Sequence, residues 1–252
     1  MGKIIAIANQ KGGVGKTTTA AALADGLTQR GYKTLLVDLD GQGNLTYTAR
    51  ADTGGLTSYE VIHGKAPAKK AIQKTAAGDL IPASPDLALT AGELTAKGDS
   101  TRLKTALDPL RGDYDFIIID APPALGILTI NALMAADRLI ITAQADIYSL
   151  QGIGQLYGTI AAVQAQNKQL KIAGILLTRY NGRPLLRRDF ATIAEQTAEQ
   201  IKTKVYKARI REGVAVGEAQ ASGQSVITYS PKSNPAKDYN AFIDEFLADL
   251  KK

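Results

Sequence analysis

The sequence predicts an α/β fold: a single domain with a mostly parallel, twisted sheet flanked by helices on both faces. Three observations predict it. Short runs of β-branched and small apolar residues alternate with helix-length segments along most of the chain. Those runs are apolar throughout, the pattern of strands covered on both faces. The 252 residues, 45% of them hydrophobic, can bury one large core without being divided.

Lys3 to Asn9 (KIIAIAN) is the first such strand and ends at glycines. From Thr17, the segment TTTAAALADGLTQRG supplies helix formers and a closing Gly31, and Lys33 to Asp38 (KTLLVD) follows as a second buried strand, completing a βαβ unit. The alternation recurs at Phe116 to Asp120, Arg138 to Thr142 and Ile172 to Thr178, with helix-length spacers such as Ile127 to Ala136. Gly41 to Ser100 is rich in Gly, Thr, Ala and Pro and reads as surface excursions. It holds a helix near Tyr59 to Ile62, a short strand at Asp79 to Pro82 and a helix near Leu87 to Ala96. The tail, Asp238 to Leu250, sets Phe242, Ile243, Phe246, Leu247 and Leu250 on one helical face, with Asp244, Glu245 and Asp249 opposite.

Charged residues make up 21% of the chain and cysteine is absent, which excludes disulfides, thiolate zinc sites, thiol nucleophiles and cysteine-held iron–sulfur clusters. The start has too short an apolar run for a signal peptide, and no segment reaches the ~18 apolar residues of a membrane span, so a cytoplasmic location is expected. The net charge of +6 is carried by the C-terminal part. Between Arg179 and Arg211 stand nine basic residues against three acidic ones. His63, the single histidine, lies in a polar stretch without companion ligands and is expected to have no catalytic or metal role.

Between the first strand and first helix lies NQKGGVGKTT. Gly12, Gly13 and Gly15, with Val14 between them, let the backbone curl and turn its N–H groups inward, where they can grip phosphate oxygens. Lys16 adds a point charge for the β and γ phosphates, Thr17 a hydroxyl for Mg²⁺, and Thr18 continues a helix start whose positive end favours anions. This is a P-loop, and it implies an NTPase. Asp38 and Asp40, after the second strand, and Asp120, ending the third apolar run, are carboxylates at strand ends. A metal charge gives a buried strand reason to finish in one.

The ordinary P-loop pattern needs glycine where Gln10 stands, and Lys11 follows it. KGGVGKTT resembles the signature of the deviant Walker family that contains ParA, MinD and the nitrogenase iron protein. VDLDGQGN resembles the family's DxDPQGN segment with Gly41 in place of proline, and FIIIDAPPALGILTINAL its Walker B region. GEAQASGQSVITYSPKS resembles the ParA ending, which MinD lacks. The likeness spans nearly the whole chain. It implies that Lys11 reaches across a dimer interface to the partner's nucleotide, so that two subunits sandwich two ATP molecules. It implies that Asp40 positions or activates the attacking water, that Asp38 lies near the metal, and that Asp120 faces Mg²⁺ through water. Arg211 and Gly213 stand where the family's IPRN helps hold the adenine, here replaced by IREG, and Gln220 replaces the EAP proline. Glu218 matches the family's glutamate.

The resemblance implies a ParA-type partition ATPase, one unit over residues 1–252 with no N-terminal helix-turn-helix extension. ATP and Mg²⁺ are the expected cofactors. The expected partners are a second copy on ATP binding, non-specific DNA, and a ParB-like or other small DNA-binding centromere protein that stimulates hydrolysis. The cargo is plasmid, chromosomal or mobile-element DNA, and the location the nucleoid. DNA contacts are expected at Arg183, Arg187, Arg188, Lys202, Lys204, Lys207 and Arg209. A MinD-like membrane-surface regulator is the alternative, as is positioning of a protein cargo. The acidic polar face of the tail argues against a stable membrane association, because anionic lipid attracts basic faces.

Overall fold

The computed structural model describes residues 1–75, 78–96, 98–144, 146–180 and 184–251, apart from the side chains of 147–151 and 184–189. Among them seven strands form one sheet: β1 (Lys3–Ala8), β2 (Thr34–Asp38), β3 (Gln73–Thr75), β4 (Gly78–Ile81), β5 (Phe116–Asp120), β6 (Arg138–Gln144) and β7 (Lys171–Thr178). Their order is β3-β4-β2-β5-β1-β6-β7, and every neighbouring pair is parallel except β3 with β4. The expected fold is therefore observed, with one antiparallel edge added.

The helices are α1 (Lys16–Gln29), α2 (Asn44–Thr48), α3 (Ser58–Ile62), α4 (Thr90–Glu93), α5 (Arg102–Leu107), α6 (Ile127–Ala135), α7 (Ile147–Gln166), α8 (Pro184–Gln200), α9 (Val214–Ala221), α10 (Val226–Tyr229) and α11 (Asn234–Leu250). They cover both faces of the sheet. Along β1, Ile4, Ala6 and Ala8 join a core with α3, α5, α6, α7 and α8, whereas Ile5 and Ile7 join a second core with α1, α9, α10 and α11. Alternate side chains thus serve opposite cores, which is why the strand is apolar at every position.

Two expectations are corrected. The helix expected over Leu87 to Ala96 is a 3-10 turn at Pro85–Leu89 followed by the single turn of α4, which ends when Leu94 leaves the helical region (φ −97, ψ 87). Gly92 in that turn weakens any continuation. The tail helix starts four residues earlier than expected, at Asn234, because Ser233 caps it by accepting from the Ala236 N–H and Pro235 fits the first turn. Its apolar face is buried, with Phe242, Ile243 and Phe246 at or below 1% exposure. A Cβ on Gly26 of α1 would come 2.3 Å from Ile243 Cδ1, so the glycine lets the two helices meet closely.

Beyond β7, the segment 204–210 runs along the sheet edge. The Ile175 N–H donates to Lys204 O, the Tyr206 N–H to Ile175 O and the Ile210 N–H to Leu177 O. This covers an edge that would otherwise present unpaired backbone. Among the described residues no helix is long and apolar enough to cross a membrane.

Candidate functional site

The glycine loop leaves β1 at the carboxyl edge of the sheet, where open α/β sheets bind ligands. Asn9 starts the turn by donating to Thr142 O (2.6 Å) and accepting from the Lys11 N–H (3.1 Å). Gly13 and Gly15 then take φ of +74 and +78, conformations that side chains resist. Loop carbonyls are held from outside: Gln144 Nε2 donates to Gly13 O (2.9 Å) and Thr178 Oγ1 to Val14 O (2.8 Å). The first N–H groups of α1, from Lys16 through Thr18, have no intrahelical acceptor, as at any helix start.

Lys16 is 7% exposed, and its Nζ donates to Lys11 O at 3.3 Å. Burial lowers its pKa, opposed by the charges of Asp120 and Asp40. Asp120 lies at the end of β5, in register with Asp38 on β2. Both its oxygens are buried and make no hydrogen bond of good geometry, although the Thr17 hydroxyl is near enough to favour the ionised form. Burial, reinforced by the Asp38 charge, pushes its pKa well above the ordinary carboxylate range, and Thr17 and Lys16 pull only partly the other way. An orphaned carboxylate there is costly. A divalent cation on phosphate oxygens would supply its missing partner, so Asp120 with Thr17 fits Mg²⁺.

Asp38 and Asp40 differ from each other. Asp38 Oδ2 accepts from the Thr46 N–H (2.9 Å) and hydroxyl (2.7 Å), and Oδ1 from the Asp40 N–H (3.1 Å). Burial nonetheless raises its pKa to about 6. Its carboxylate therefore already holds α2 and the Asp40 turn, beside the position expected for metal. Asp40 is half-buried, accepts from the Gln42 N–H (3.0 Å), and reaches the cleft mouth.

The glycine loop, Lys16, Thr17, Thr18 and Asp40 line a cleft of about 820 Å³ that also includes Ile210, Arg211, Gly213, Val216 and Tyr239, with Asp38 and Asp120 buried behind it. A second cleft of about 850 Å³, between α3 and α5, brings no comparable groups together. Its Lys69 and Arg102 are ion-paired with Asp113 and Asp99. The AAA domain family matches residues 2–172. The sporulation initiation inhibitor protein Soj of Bacillus subtilis (strain 168) is 40% identical over 255 residues, covering 99% of this chain and all of that protein. The chromosome partitioning protein ParA of Myxococcus xanthus (strain DK1622) is 40% identical over 257 residues, 98% of this chain and 88% of that protein. The chain belongs to the ParA/Soj-type ATPases. A solved structure, cobyrinic acid a,c-diamide synthase from Mycobacterium smegmatis with bound ADP and magnesium, superposes with a TM-score of 0.86 at 36% identity, covering 100% of this chain and 96% of that one.

In this ParA/Soj-type chain, Lys11 is bound within its own subunit. Its Nζ donates to both oxygens of Asp146, at 2.9 and 2.8 Å. Arg211 and Gly213 stand on the cleft wall facing the glycine loop, and Gln220 Nε2 donates to Thr18 Oγ1 (3.2 Å). Glu218 is exposed on α9.

The basic stretch is less open than its charge suggests. Lys204 pairs with Glu245 (2.8 Å) and Asp249 of α11, so the acidic tail face answers it directly. Arg209 donates to the Tyr180 hydroxyl (2.7 Å) and lies over its ring. Lys202 and Lys207 are exposed, with no ion pair among the described residues. Arg183 lies outside the described residues, as do the side chains of Arg187 and Arg188. His63 belongs to the core of the excursion: its side chain is 9% exposed, 3.2 Å from Glu93, against the Tyr59 ring. Burial lowers its pKa, and among the described residues His63 belongs to no group of three or more His, Cys, Asp or Glu side chains that could hold a metal ion. Sequence reasoning missed Thr46, Asp146 and Asp238. Each acts through a tertiary contact that no local pattern announces.

Proposed function

We propose that this chain is a Mg-ATP-dependent partition ATPase that dimerises on ATP, binds DNA without sequence preference, and is released when a ParB-like partner stimulates hydrolysis. One observation carries the nucleotide part: Lys16 and Thr17 line a cleft opened by the glycine loop, and the fully buried Asp120 acts on both from behind it. The extension to segregation draws on relatives similar over nearly the full chain, two of which are named for Soj and for chromosome partitioning.

In this reading the N–H groups from Gly12 to Thr18 and the Lys16 ammonium bind the triphosphate, and Thr17 and Asp120 hold Mg²⁺, with Asp38 behind them fixing the loop. The metal supplies positive charge at the phosphates when bound. Asp40 orients the attacking water from the cleft mouth. Lys11 leaves Asp146 and completes neutralisation of the partner subunit's γ phosphate, so full activity needs both chains. Arg211 and Gly213 face the base. Lys202, Lys207 and Arg209, with Arg183, Arg187 and Arg188, meet DNA phosphates, while Lys204 acts chiefly by holding α11. The apolar face of α11, which a membrane-surface role would need, is buried.

A salt titration of the ATP-bound protein on random duplex DNA tests the reading. Binding at low ionic strength that weakens steeply with salt is expected, and Lys202→Ala and Lys207→Ala should each lower the slope by about 1. No binding at low ionic strength contradicts DNA partition.

A further inference from the structure

Opposite the glycine loop, the nucleotide cleft is walled by residues 210–213, and this wall is clamped from α11. Three donors of a single residue converge on one carboxylate. The Arg211 backbone N–H and Nε both reach Asp238 Oδ2 at 2.9 Å, and Nη2 reaches Oδ1 at 2.7 Å. The Arg211 side chain is 46% exposed, and an ion pair so open adds little to folding stability. Its effect is geometric: backbone and side chain of residue 211 are fixed by the same anchor.

Both flanks are fixed as well. Ile210 bonds to the β7 end, its N–H donating to Leu177 O and its carbonyl accepting from the Tyr180 N–H, both at 2.8 Å. A Cβ on Gly213 would lie 2.9 Å from Pro235 Cγ, so α11 also presses on the other end of the wall. The residue after Asp238 ties α11 to the phosphate side, since the Tyr239 hydroxyl lies 3.1 Å from Thr19 Oγ1 of α1. The glycine loop defines where phosphates sit, so the remainder of a nucleotide extends along this wall.

We infer that Asp238 is a positioning residue: through Arg211 it presets the 210–213 wall for the nucleoside part of the nucleotide, and so sets affinity for nucleoside triphosphate over bare triphosphate. The inference rests on the nucleotide reading of the cleft. Losing one preorganised side chain costs about 0.5–1.5 kcal/mol in binding, which corresponds to about two- to tenfold in affinity.

The test is equilibrium binding of Mg-ATP and of magnesium with inorganic tripolyphosphate, together with steady-state hydrolysis, for Asp238→Ala, Arg211→Ala and the double variant. Asp238→Ala should weaken ATP binding by about two- to tenfold and raise KM more than it lowers kcat, with tripolyphosphate affinity within about twofold of the unsubstituted protein. Arg211→Ala should do the same, and the double variant no more, because the two residues act as one unit. If Asp238→Ala does not fold, Asp238→Asn, which keeps the shape but loses the charge, is measured in the same way. Unchanged ATP affinity, parallel loss of ATP and tripolyphosphate, or additive effects overturn the inference. Absence of saturable ATP binding by the unsubstituted protein would instead overturn the nucleotide reading itself.

Discussion

The Lys11 ammonium lies 2.8 Å from the Asp146 carboxylate of its own chain, with both side chains about one-third exposed. A pair this open is worth about 0.2–1 kcal/mol. It nevertheless competes with any contact Lys11 makes across a dimer interface, because a ligand or partner shifts an equilibrium only by its differential affinity.

Replacing Asp146 separates the two effects. Asp146→Asn should change unfolding free energy by less than about 1 kcal/mol. Freed of the competing contact, Lys11 should let the ATP-bound chain dimerise at a concentration about two- to fivefold lower, as read by light scattering across a protein dilution series. Unaltered or weaker dimerisation would mean that the cis pair does not compete.

A second expectation concerns pH. Burial raises the Asp38 pKa to about 6 from 3.8, with the nearby Asp40 charge adding and hydrogen bonds from Thr46 and the Asp40 N–H opposing. The folded chain then retains a proton that the unfolded chain has released. Its contribution to stability is full below about pH 4 and is lost as pH rises through about 6, by on the order of 3 kcal/mol at most. Urea unfolding in EDTA at pH 4.5 and pH 7 should therefore differ between the native protein and Asp38→Asn, the variant lacking that decline. Saturating Mg-ATP should shrink the decline in the native protein, because cation charge favours the ionised form. Parallel profiles for the two proteins would contradict the assignment.

Six strands and the phosphate loop were legible in the sequence because their causes are local. KIIAIAN and FIIID are apolar at every position since each side chain meets a core, and the glycines of KGGVGKTT are needed for the turn they make. β3 was not legible. Gln73, Lys74 and Thr75 are polar and short, and only their antiparallel pairing with β4 makes them a strand. Charge reading fared similarly: Lys204 looked like a DNA contact, but Glu245 and Asp249, about 40 positions away, fold back on it. Arg211 and Asp238 are likewise 27 positions apart. Ion pairing across such separations depends on the packing of α11, which no charge count contains.

The framework below the site makes its own prediction. Asp137 Oδ2 accepts from the buried Ile4 N–H (2.7 Å) and from Arg111 Nη1 (2.6 Å), tying β1 to the segment before β5. The Arg111 side chain is only 9% exposed. Asp137→Ala leaves that guanidinium with Asp108 as its one charged partner, beside the Gly2 and Ala135 carbonyls, and orphans the Ile4 N–H. The expected cost is roughly 3 kcal/mol, a fall of roughly 5–10 °C in Tm by calorimetry. A Tm within about 1 °C of the native value would show that the pair carries no such load.

The central claim is that two chains enclose triphosphate only when Lys16 can hold it, and that Asp40 serves hydrolysis rather than binding. Sedimentation velocity at saturating Mg-ATP tests this most directly, with native, Lys16→Ala and Asp40→Ala proteins side by side. Lys16→Ala should remain monomeric and bind no nucleotide, whereas Asp40→Ala should bind ATP and sediment as a persistent dimer. A monomeric Asp40→Ala protein with ATP bound, or a dimeric Lys16→Ala protein, would contradict the account.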